Sequence, residues 1–284
     1  MRSNNPIFNR SEQFNPNAKA ASYPGTAPSA PAYGEPGTDP STWGTGSPTQ
    51  TISGRPMTID SVVQKTAISL AVVIVFAIAT WVLTGDLNAD STAVGPLLSA
   101  VMIGSLGAFV LSLVNSFKKV VSPALVLVFC AFEGVALGGL SKFFDAIYGG
   151  QDNIVMGAVL GTFAAFAGTL AAYKYFNIQV SPKFRKFVIA AVFGMIGLSL
   201  LEMVLGAFGN SIGLFGVSGL GMLTAFAGLA LGVFMLIMDF DFVEYGIEQG
   251  LDERESWRAA FAMTVSLVWI YTNLLRIMAF FSQD

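Results

Sequence analysis

The chain has no histidine, a single cysteine and few charges. Without histidine there is no Ser-His hydrolase, no His-bound zinc and no His-ligated haem. The motif "GVSG", Gly216 to Gly219, therefore lacks the general base a serine protease of the membrane would need, and is expected to be a glycine-rich helix start. With Cys130 alone, no disulfide forms within the chain. Charged residues make up 12% of the sequence, against about 25% in a soluble domain. The net charge of −3 offers nothing to nucleic acid. No blocks of apolar residues contain a lysine, so a retinal Schiff base is excluded, and no enzyme chemistry is expected.

Apolar residues are abundant, at 54% with a mean hydropathy of +0.64. That balance belongs to a protein whose solvent is largely lipid. Residues 1–56 stand apart, with nine of the twelve prolines amid Gly, Ser and Thr. Such a segment buries too little apolar surface to offset its ordering entropy, so a disordered tail is expected, a tether or a docking segment for protein partners. It has no apolar core like that of a signal peptide.

Residues 57–284 alternate apolar blocks with short polar breaks. About 20 apolar residues span a bilayer as a helix. Seven blocks qualify: 66–84, 93–114, 123–141, 154–173, 187–208, 218–238 and 259–281. Each must be helical, because lipid satisfies no backbone group. Two breaks end in Ser-Pro, at 122–123 and 181–182, where proline suits a first helical turn. Gly134/Gly138, Gly157/Gly161 and Gly228/Gly232 have the spacing that brings helices close. Basic residues gather in the second, fourth and sixth breaks, including Lys118, Lys119, Lys183, Arg185 and Lys186. The positive-inside rule then puts the N-terminus in the cytoplasm and the C-terminus outside.

Charges within these blocks carry the functional expectations, since each needs a partner, water or a proton. Glu133 falls roughly 16 Å into the third block, near the midplane. Glu202 in the fifth and Arg276 in the seventh both fall toward the outer leaflet, and are expected to pair. Asp239 and Asp241 close the sixth block in "LIMDFDFVEYG", flanked by Phe240 and Phe242. Five further acids follow before Arg258, and those from Glu248 on are expected in a solvated loop. Clustered carboxylates suit a hard cation such as calcium and titrate as a coupled set. Asp239 and Asp241 are thus the expected ion site and proton sensor, with Glu133 along the path.

Taken in order, "FEGVALGG" at 132–139, "MDFDFVEYG" at 238–246 and "LVWIYTNLLRIM" at 267–278 resemble the bacterial branch of the Bax-inhibitor family of membrane proteins. The resemblance covers residues 57–284. It implies an all-α bundle of six helices around a central seventh, in a bacterial plasma membrane, and a pH-sensitive calcium leak. It also implies an aspartate pair, one on each of the last two helices, that holds an arginine of the second helix. Asp239 or Asp241 matches the sixth-helix member. The seventh block offers Ser266 and Asn273 but no acid there, and the second block has no arginine. Two other functions fit the same charges: a proton-coupled transporter using Glu133 and Glu202, and a non-conducting stress-protection protein acting through partners.

Overall fold

The computed structural model describes residues 55–85, 87, 93–149, 153–176 and 178–283. The expected tail, residues 1–56, lies almost wholly outside the described residues. Among the described residues seven long helices follow one another: α1 Ile59–Leu83, α2 Val94–Phe117, α3 Pro123–Phe144, α4 Ile154–Phe176, α5 Pro182–Ala207, α6 Gly219–Glu248 and α7 Glu255–Phe281. All seven are long and apolar enough to cross a membrane, so the chain is an integral multi-pass membrane protein. Among the described residues there is no strand, only a bridge between Pro56 and Asp252.

Local chemistry sets the helix starts. Thr58 and Ser61 cap α1 reciprocally, each side chain accepting from the other's backbone N–H at 3.1 Å. The two Ser-Pro breaks begin α3 and α5 with proline in the first turn, as expected, and Ser181 caps Phe184 N at 3.2 Å. Ser218 caps α6 through Gly221 N at 3.1 Å, so the "GVSG" serine is a helix cap. Beyond Phe144, α3 widens into a π-helical turn over Asp145–Gly149.

The seventh helix is the centre. It packs against α1, α3, α4 and α6, while α2 lies on α3 and α5 on α6. The other six helices surround it in two shells, four inner and two outer. The least apolar of the seven spans, α7 buries Ser256, Thr264, Ser266, Tyr271 and Asn273. The outer helices instead expose Leu106, Phe109, Phe193 and Met203. Lipid is as apolar as these side chains, so nothing drives them inward, whereas hydroxyl and amide groups gain partners only inside the protein.

The paired glycines mark the seams. A Cβ on Gly134 or Gly138 would overlap the carbonyls of Val73 and Ala77, so these two seat α3 on α1. Gly157 and Gly161 face Met278 and Leu274 of α7, and Gly228 and Gly232 face Asn273 and Ile270. Trp269 reinforces the last seam, donating from Nε1 to Gly228 O at 2.8 Å.

Two boundaries differ from expectation. α6 continues ten residues past Met238, through the acidic run to Glu248. Hydropathy ends where the lipid core ends, but backbone hydrogen bonding does not. At the other boundary, Arg55 and Pro56, expected in the tail, are held to the bundle. Arg55 O accepts from Glu253 N at 2.8 Å, and Met57 N donates to Leu251 O at 2.7 Å.

Candidate ion or proton site around the seventh helix

The run "MDFDFVEYG" is helical throughout, so its side chains fan out by about 100° per residue. Three consecutive residues reach three different helices. Asp239 turns to α7, where Ser266 Oγ donates to its Oδ2 at 2.6 Å. Phe240 turns to α4, its ring 5.7 Å from those of Phe166 and Tyr173. Asp241 turns to α5, where Arg185 Nη2 donates to Oδ2 at 2.8 Å. One turn on, Glu244 accepts a short hydrogen bond from the Tyr173 hydroxyl of α4.

These directions correct the expected site. Asp239 and Asp241 stand two residues apart, about 200° around the helix, and do not share a cation or a proton. Nor do they sit at the helix terminus. Asp239 is nine residues from Glu248, about 14 Å inside the helix end. Among the described residues, no group of three or more Asp, Glu, Cys or His side chains converges as a metal site. The expected calcium ligation by Asp239 and Asp241 together therefore has no geometric basis.

Glu133 is half-buried on α3, in one stripe with the buried Val126, Cys130 and Leu137. Two contacts fix its level. Phe129 packs on Phe261 with ring centroids 5.0 Å apart, and Ser141 Oγ meets Tyr271 Oη at 2.6 Å. The helices α3 and α7 thus run in the same direction, and Glu133 comes to about the level of Thr264. Asp239, on Ser266, flanks α7 at nearly the same level from α6. From α1, Thr66 donates to Met263 Sδ at 3.7 Å, and Ser69 is buried beside Cys130. Polar groups from three neighbouring helices, α1, α3 and α6, therefore lie at about this level around α7. Among the described residues, neither Glu133 nor Asp239 has a lysine or arginine at ion-pair distance.

The expected Glu202–Arg276 pair is not formed. Glu202 accepts from the backbone N–H of Ile212 at 3.1 Å and of Gly213 at 2.7 Å. Arg276 Nη2 donates to Leu214 O at 3.0 Å, Gly221 O at 2.8 Å and Thr224 Oγ1 at 3.0 Å. Both side chains hold the α5–α6 connection, one by its donors and the other by its acceptors. A loop with unsatisfied backbone groups competes successfully for each charge.

A family model described as Bax inhibitor 1 like matches residues 5–283. The chain belongs to the Bax inhibitor 1 like family. The match begins well before residue 57, so it takes in most of the segment that the sequence resemblance leaves out. No curated protein compared with it matches the chain. In this Bax inhibitor 1 like protein, the residue facing the sixth-helix aspartate is Ser266, a hydroxyl where the resemblance implies a second acid. The expected arginine is absent from α2, which packs on α3. In the sequence, Ser266 stands out only as a polar residue of the seventh block and Arg185 only as a basic residue of the fourth break. Tyr173 carries no spacing signal, because its contact with Glu244 joins residues on separate helices. Glu253, expected in a solvated loop, binds Lys65 Nζ at 3.1 Å.

Proposed function

We propose that this Bax inhibitor 1 like protein is a proton-sensitive cation leak, with calcium as its leading ion, in a bacterial plasma membrane. The N-terminus lies in the cytoplasm and the C-terminus outside, on the strength of the basic breaks. The observation that carries the reading is Asp239, a carboxylate inside the bundle, bonded to the central helix through Ser266 and without a basic partner among the described residues.

A deprotonated Asp239 only accepts hydrogen bonds, and a protonated one also donates. One proton thus changes both the charge beside α7 and the hydrogen bond that joins α6 to it. Deprotonation adds negative charge to a water-poor interior and attracts a cation, so flux rises with pH. Glu133, at about the same level across α7, is the second carboxylate on the path. Asp241 is neutralised by Arg185 and stands outside it.

The test is ion flux into liposomes holding the purified full chain, compared for calcium, sodium and protons across neutral pH. Calcium flux is expected to rise with pH. Asp239→Asn flattens the profile, Asp241→Asn leaves it intact, and Glu133→Gln lowers flux at every pH. A normal pH profile in Asp239→Asn removes Asp239 from the gate. Absence of flux for every ion removes the leak reading.

A further inference from the structure

A groove of about 440 Å³ opens sideways between α1 and α4, with α3 and α7 as its floor. Leu70, Ile74 and Trp81 line it from α1, and Met156 and Phe163 from α4. Its hydroxyls are turned away from it. Ser141 and Tyr271 bond to each other, Ser141 also donates to Leu137 O, and Thr162 donates to Ala158 O at 2.7 Å. The walls are consequently apolar. Leu70 to Trp81 is eleven residues, about 16 Å along the helix. Half of a bilayer core about 30 Å thick is about 15 Å. The groove therefore has the depth of one leaflet, and its tryptophan sits at the end where a membrane interface favours one.

At that end the chemistry changes. A second cavity of about 410 Å³ shares Trp81 with the groove and is lined by Thr84, Gly85, Lys142 and Asp145. Lys142 Nζ donates to Trp81 O at 2.7 Å, to Thr84 O, and to Thr84 Oγ1 at 3.3 Å. All three are neutral oxygens. Among the described residues no carboxylate stands at ion-pair distance, Asp145 included. Among the described residues, Lys142 and Asp145 thus face one polar cavity without forming an ion pair, directly above an apolar slot one leaflet deep.

We propose that this composite site binds one glycerophospholipid with an ethanolamine headgroup. One acyl chain lies along α1 from Trp81 to Leu70, the phosphate is at Lys142 and the ammonium at Asp145. The charge arrangement selects this occupant over a second copy of the chain, whose apolar helix faces carry no such dipole. The site is separate from Asp239, so its existence does not depend on ion conduction.

The full chain, stripped of lipid in detergent, is titrated with phosphatidylethanolamine and with diacylglycerol of the same chains, and bound lipid is counted by native mass spectrometry. One phosphatidylethanolamine per chain is expected, held at least tenfold more tightly than diacylglycerol. Ile74 and Met156 are 45% and 58% exposed, so Ile74→Trp and Met156→Trp fill the groove without disturbing the core. Each is expected to cut retention at least tenfold with an unchanged melting curve. Lys142→Gln is expected to reduce phosphatidylethanolamine to the level of diacylglycerol. If loss of the α1 cap prevents that variant from folding, the two groove variants decide. Equal retention of the two lipids by the wild type overturns the proposal, as does wild-type retention in both groove variants. A lipid-free dimer that the groove variants abolish also overturns it, in favour of a second copy.

Discussion

Asp239 and Asp241 differ by 200° of helix, and that angle decides their chemistry. Asp241 finds Arg185, whose side chain is 56% exposed, so their pair is screened and contributes about 0–1 kcal/mol. Asp241→Asn is expected to shift the melting temperature in detergent only slightly. Asp239 has Ser266 instead, in a drier place. Ser266→Ala removes a donor to a carboxylate, a contact in the range of about 1.5–3 kcal/mol, and is expected to change the pH profile of flux along with stability. Arg276 is a second test at this scale. Its bonds go to two carbonyls, a hydroxyl and the Asn273 amide oxygen, and Glu202 serves the same connection from the other side. Arg276→Gln is expected to destabilise by about 1.5–3 kcal/mol, as a charged donor lost inside protein. Adding Glu202→Gln should give no recovery, because the two charges never neutralised each other. Recovery in the double variant, measured by thermal melts, would restore the direct pair.

Each helix pair is set by what its facing residues leave room for. α3 approaches α1 through Gly134 and Gly138, where any Cβ meets backbone that has no rotamer to escape into. Gly138→Ala is expected to force the helices apart at a cost of about 1–3 kcal/mol, the range for overpacking. Gly194→Ala and Gly197→Ala on α5, where nothing lies within 4 Å, should be neutral or slightly stabilising through helix propensity. Thermal melts of the three variants in one detergent separate seam glycines from lipid-facing ones. The C-terminal end of α6 is the other element-level device. Tyr173, Arg185, Ser266 and the Lys65–Glu253 pair tie it and its following loop to four helices. A change at Asp239 is thereby placed where α6 meets the rest of the bundle.

For the molecule as a whole, the proposed topology, with seven spans among the described residues, puts the two ends on opposite faces. In a Cys130→Ser background, Gln283→Cys is expected to react with an impermeant thiol reagent on intact cells, and Ser47→Cys only after lysis. Labelling of both from outside would reverse the topology of one end. Burial follows the same logic as the charges. The least apolar helix is central and the outer helices turn large apolar side chains outward, the reverse of a soluble bundle, because the solvent is itself apolar.

The seven spans were legible from sequence alone, since bilayer thickness converts directly into a length of apolar chain and lipid forces that chain to be helical. The Ser-Pro starts and glycine seams were legible for a similar reason, being properties of one helix at a time. The carboxylates at Glu133, Asp239 and Asp241 stand out because charge in or at the end of an apolar block is costly wherever the block is placed. What tertiary structure alone decided is who faces whom. Asp239 and Asp241 look like a pair in a line of text and point to different helices in space, and Glu202 and Arg276 match in depth but find a loop between them. Depth follows from rise per residue within one helix. Partnership depends on the rotation and packing of several helices at once, which no single segment encodes.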